Sequence, residues 1–232
     1  MSLNATLTIS TWAAVGATTA VTMRSITAAH LRGPAAFRSH HSIEQVTVAQ
    51  APRPPPDDGL AIGQAAITAV LFGMLAWRFG VRIELLAFSC LAALGVPLAV
   101  IDAVTMRLPR QLVHPLYPIC VSPLALAAVI EDDGPRFARA AAGMFVLLVA
   151  YLVTAVLSHG GLGAGDVRAA GPIGLTLAWA GWSALLAGTL FSLVIFSAMA
   201  TLAKCGVNSR LRQEWPFGPA MFGGAFLAIL TR

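Results

Sequence analysis

LLAFSCLAALGVPLAVI, residues 85–101, is an uninterrupted apolar run that ends on a carboxylate, Asp102. A bilayer core is crossed by about 20 such residues wound as a helix. The same character recurs along the chain, at 3–23, 60–77, 112–130, 137–157, 169–182, 184–203 and 217–230. Composition agrees with this pattern. Of 232 residues, 57% are hydrophobic and only 11% charged, with a mean hydropathy of +0.78. A soluble domain carries about 25% charged residues. Most of this surface therefore faces lipid. The expected fold is an all-α membrane protein, a polytopic helical bundle of about eight transmembrane helices. Gly, Ala, Ser and Thr are abundant in the runs and let helices approach closely.

Three stretches follow from this reading. Residues 1–23 form a first span, rich in Thr and Ser. A secretory signal is the rival assignment, but no Lys or Arg precedes the apolar part. Residues 24–59 form a polar loop ending in the proline run 52–56, and residues 60–232 form the polytopic domain. The net charge of +5 is scattered through short loops and forms no basic stripe, so nucleic acid is not an expected partner. The charge sets orientation instead. Alternate loops carry Arg24, Arg32, Arg38 and Arg53, then Arg107 and Arg110, then Arg168, then Lys204, Arg210 and Arg212. The opposite set is poorer in positive charge. It holds Arg78 and Arg82, then Glu131, Asp132 and Asp133 with Arg136 and Arg139, and finally Arg232. The first set, including the 24–59 loop, should face the cytoplasm. Cys90, Cys120 and Cys205 are isolated within or beside apolar segments and read as small buried hydrophobes. Adjacent His40 and His41 point in different directions on any regular element, so no metal site is expected there.

Few carboxylates are candidates for chemistry. Glu131, Asp132 and Asp133 lie in one solvated turn. Glu84 precedes a span and reads as an interfacial charge. Asp57 and Asp58 end a linker, and Glu214 sits among basic residues. Asp102 and Asp166 differ, because each stands where an apolar helix meets a cytoplasmic loop. An ionisable group at membrane depth costs up to about 3 kcal/mol on insertion scales, so it has a function or a partner. Asp166 taken alone is equally a helix N-cap. Its surroundings point further. The preceding residues, Gly160-Gly161-Leu162-Gly163-Ala164-Gly165, are poor helix formers and admit a second backbone at close range. Two carboxylates in one site do not both ionise easily; one activates water while the other, protonated, polarises a carbonyl. Which is the base is open, since apparent pKa values belong to the pair. Two other classes remain at this point. One is an ion- or proton-coupled transporter using both aspartates, the other a noncatalytic assembly subunit.

Gly163-Ala164-Gly165-Asp166-Val167-Arg168 resembles the GxGD motif of membrane aspartyl proteases, in the GxGDxK form of the type IV prepilin peptidases. Residues 101–109, Ile-Asp-Ala-Val-Thr-Met-Arg-Leu-Pro, resemble that family's first aspartate motif, with Pro109 seven residues after Asp102. Pro216-Phe217-Gly218-Pro219 resembles a third family feature. The resemblance implies an aspartic endopeptidase in the bacterial inner membrane, multi-pass, its site facing the cytoplasm. It implies Asp102 and Asp166 as catalytic residues, supported by Gly163, Gly165, Arg168 and Pro109. The implied substrate is a prepilin or pseudopilin precursor, cut between a short basic leader and a hydrophobic helix. Arg168 stands where the family uses Lys, which keeps the charge and changes the donor geometry. The 24–59 loop has no cysteine, so the family's CxxC zinc pair is not expected, and N-methyltransferase activity is not implied. No cofactor and no metal are expected.

Overall fold

The computed structural model describes residues 3–32, 58–158, 162–205 and 216–231. His40, His41, the proline run 52–56, Asp57, His159 and Glu214 lie outside the described residues. Among those described, the chain forms eight helices and no strand. They are α1 (Leu3–Arg32), α2 (Asp58–Phe79), α3 (Ile83–Thr105), α4 (Arg110–Ile130), α5 (Gly134–Leu157), α6 (Ala164–Ala180), α7 (Trp182–Cys205) and α8 (Gly218–Leu230). The all-α membrane fold expected from the apolar runs is the fold observed. Helices α2, α3, α4, α5 and α7 are long and apolar enough to cross a membrane, and α8 is a shorter apolar helix. Helix α1 runs past Met23 to Arg32, so its last turns are helical where a loop was expected.

Helix α6 lies at the centre. It packs against α3, α4, α5, α7 and α8, and every residue from Ala169 to Trp179 is buried. A helix enclosed on all sides needs small residues where neighbours press closest. Gly174 of α6 meets Gly143 of α5 so tightly that a Cβ on Gly174 would sit 2.5 Å from the Gly143 carbonyl oxygen. Backbone-to-backbone approach of this kind is how helices associate in lipid, where no hydrophobic effect separates helix from solvent. Helices α7 and α8 use the same device, since a Cβ on Gly224 would lie 2.4 Å from the Ser192 amide nitrogen.

The ends of the helices are finished by polar groups. Asp133 caps α5 by accepting from the Arg136 amide at 3.0 Å, with a proline in the first turn. At the C-terminus of α6, Arg139 Nε donates to the Ala178 carbonyl at 2.9 Å, and its guanidinium also reaches the Trp179 carbonyl at 3.1 Å. A cation beside orphan carbonyls satisfies both hydrogen bonding and the helix dipole.

Glu84 corrects an expectation. It stands at the head of a span, but is enclosed by protein, 1% exposed, at the start of α3. Its carboxylate pairs with Arg136 at 2.8 Å and accepts from the indole N–H of Trp179. Arg136 lies over the Trp179 ring, 4.4 Å from its centroid. Sequence alone missed this because the partners come from α5 and α6, far along the chain. The clasp joins the start of α3 to the end of α6 at one end of the bundle.

Candidate active site

The other ends of the same two helices carry the candidate carboxylates. Asp102 lies in the last turn of α3 and Asp166 in the first turn of α6. Both are buried, 4% and 8% exposed. The fold brings their segments together, since α3 and α6 are in contact and Gly165, beside Asp166, packs on Leu108 of the turn that follows Asp102.

Each carboxylate is placed by its local backbone. Helix α3 stops at Met106, which takes the left-handed conformation with φ 52° while its N–H closes on the Asp102 carbonyl at 2.8 Å. A non-glycine residue in that region is strained, and here the strain sits beside the site. The chain then turns through Leu108 to Pro109, the residue that caps the start of α4. Gly165 fits against this turn. A Cβ there would lie 2.6 Å from the Leu108 Cβ, so only glycine permits the contact. The segments around Pro109 and Gly165 are thus physically joined.

Gly163, not Asp166, is the N-cap of α6. Asp166 occupies the third helical position, from which a carboxylate reaches back toward the cap. Its Oδ2 lies 3.0 Å from where a Gly163 Cβ would stand. Its Oδ1 is buried and has no hydrogen-bond partner among the described residues.

The third motif segment supplies a direct contact. The amide of Gly218, at the start of α8, donates to Asp102 Oδ2 at 2.8 Å. A Cβ on Gly218 would collide with the carboxylate at 2.7 Å. Arg168 lies further along α6 and is half-buried. Its backbone carbonyl accepts from the Tyr117 hydroxyl of α4 at 2.8 Å.

Both tyrosines of the chain, Tyr117 and Tyr151, face this region. Tyr151 of α5 lies within electrostatic reach of Asp166 and packs on Phe217, with ring centroids 5.8 Å apart. Phe217 in turn meets Phe196 edge-on at 5.2 Å. Sequence reasoning named neither tyrosine. The only advance signal was their rarity.

The chain is similar to known proteins over most of this region. The model of the type IV leader peptidase family matches residues 85–203, which includes both aspartates. A prepilin leader peptidase/N-methyltransferase of Bacillus subtilis is 32% identical over 167 residues, covering 71% of this chain and 63% of that protein. Proteins of the same description from Pseudomonas aeruginosa and Stutzerimonas stutzeri are 27% and 28% identical. They align over 70% and 69% of this chain and 55% of their own lengths. The chain thus spans between about half and two thirds of the curated relatives it matches. No solved structure matches it.

Proposed function

Because the chain belongs to the type IV leader peptidase family, we propose that it is a membrane aspartic endopeptidase that removes the leader from prepilin-like precursors, with Asp102 and Asp166 as its catalytic pair. The observation that carries this is a pair of buried carboxylates on two contacting helices, α3 and α6, with Asp102 held by the Gly218 amide and the Asp166 turn packed on the segment that follows Asp102. Water adds to the scissile carbonyl as the ionised aspartate takes its proton. The protonated aspartate donates to the developing oxyanion, and collapse expels the amine, which receives a proton from the pair. The Gly218 N–H orients one Asp102 oxygen throughout. Gly163, Gly165 and Pro109 shape the turns on which the carboxylates stand, and Arg168 carries a positive charge two residues further along α6. The comparisons lend nothing to an ion-coupled transporter.

The direct test is cleavage of a purified precursor by the purified protein in detergent. The expected product lacks the basic leader and begins at the hydrophobic segment. An intact precursor after long incubation with folded protein would end this assignment.

We place both aspartates on the cytoplasmic side of the bacterial inner membrane, on the Lys/Arg asymmetry of the loops. In a cysteine-free background, Gln111→Cys and Ala164→Cys, both exposed, should be labelled only by reagent admitted to the cytoplasmic face. Labelling of the two from opposite faces would rule out a shared site.

An aspartate pair needs no metal to activate water. Chelators should therefore leave the cleavage rate unchanged, and the pH–rate profile should show two apparent pKa values that belong to the pair. Loss of cleavage in chelator, restored by added zinc, would overturn the aspartyl mechanism.

A further inference from the structure

Pro172 lies inside α6, which runs on past it to Ala180. A proline has no N–H, so the helix drops the hydrogen bond that residue 172 would give to the carbonyl four positions earlier. That carbonyl belongs to Arg168, two residues after Asp166. A carbonyl orphaned inside a membrane bundle must find another donor. Here it finds one from another helix, the Tyr117 hydroxyl of α4 at 2.8 Å. The residue before the proline makes room for it. A Cβ on Gly171 would lie 2.3 Å from the Tyr117 hydroxyl and 2.8 Å from its ring, so any side chain there would push the phenol off its acceptor.

We infer that Tyr117 is a positioning residue for Asp166, its hydroxyl replacing the helix hydrogen bond that Pro172 removes from the Arg168 carbonyl. The inference rests on the assignment of Asp166 as catalytic. Three residues form one device: Pro172 opens a place in the hydrogen-bond ladder, Gly171 clears the approach, and Tyr117 fills it from outside. The consequence is mechanical. The first turns of α6, which carry Asp166, are fastened to α4 as well as to the rest of α6. Helix α4 starts at the turn that packs on Gly165. Both sides of the Asp166 turn are therefore held by the same neighbour. Tyr117 does not touch the reacting atoms, so its effect should fall on the geometry of catalysis and not on precursor binding.

Tyr117→Phe keeps the ring and removes only the hydroxyl. Its kcat should fall about tenfold, the effect of losing one hydrogen bond, while KM stays within about twofold. Pro172→Ala restores the helix N–H, so the hydroxyl becomes redundant. In that background, adding Tyr117→Phe should leave kcat unchanged. A Tyr117→Phe enzyme as fast as wild type would overturn the inference. So would an equal loss in both backgrounds, because the hydroxyl would then act elsewhere than on the Arg168 carbonyl. Amide hydrogen exchange across residues 164–171 gives a readout that does not need catalysis. Exchange should quicken in Tyr117→Phe and return to the parent rate when Pro172→Ala is present. The same exchange experiment in an Asp166→Asn background separates two failures. Active Asp166→Asn would refute the catalytic pair, whereas unaltered exchange in Tyr117→Phe would refute the fastening.

Discussion

Asp102→Asn and Asp166→Asn should each lower precursor cleavage by at least about 10³-fold, in the range that general acid–base groups supply. Asparagine keeps the shape of the side chain and removes its ability to ionise. Asp102→Asn retains an oxygen for the Gly218 amide, which donates to Oδ2 at 2.8 Å in the parent. The variant should therefore insert and fold normally. Groups that act as a unit do not lose activity additively, so the double substitution should be hardly slower than either single one. Initial cleavage rates of the three variants, measured beside their thermal unfolding in detergent, provide the check. A rate within tenfold of the parent for either single variant would reduce that aspartate to a structural role.

Arg136→Met has the largest expected effect on stability. Glu84 is 1% exposed, and Arg136 is its close cation at 2.8 Å. Removing the cation leaves a buried carboxylate with the Trp179 indole and a longer contact from Arg82 at 3.4 Å. Breaking a buried ion pair from one side costs about 3–5 kcal/mol. Glu84→Gln combined with Arg136→Met should recover part of that loss, because no charge is then stranded. Thermal unfolding in detergent reads both effects. An unchanged midpoint in Arg136→Met would mean that the pair contributes nothing.

How much of this was legible in advance depends on the range of each interaction. Apolar runs report on lipid residue by residue, so the helices and the all-α class could be read directly. Asp102 and Asp166 stood out because each interrupts such a run beside a glycine- or proline-bearing turn. Their meeting in space could not be read from their spacing, since it depends on α4 and α8 as much as on α3 and α6. The burial of Glu84 was hidden for the same reason. Nothing near it in sequence announces Arg136 or Trp179, and a charge at the head of a span is ordinarily wet. Tyr117 shows a further limit. Gly171-Pro172 is visible as a helix irregularity, but the donor that repairs it is supplied by another helix.

The Glu84 clasp makes α3 and α6 a pair of tongs, joined at one end and bearing a carboxylate near the other. At about 1.5 Å of rise per residue, Asp102 stands roughly 27 Å from the joint along α3, and Asp166 roughly 20 Å along α6. The carboxylate ends are held by different means, the Gly218 amide on Asp102 and the Leu108 turn against Gly165. The two helices thus carry an ion-pair clasp at one end and hydrogen-bonded, glycine-packed turns at the other.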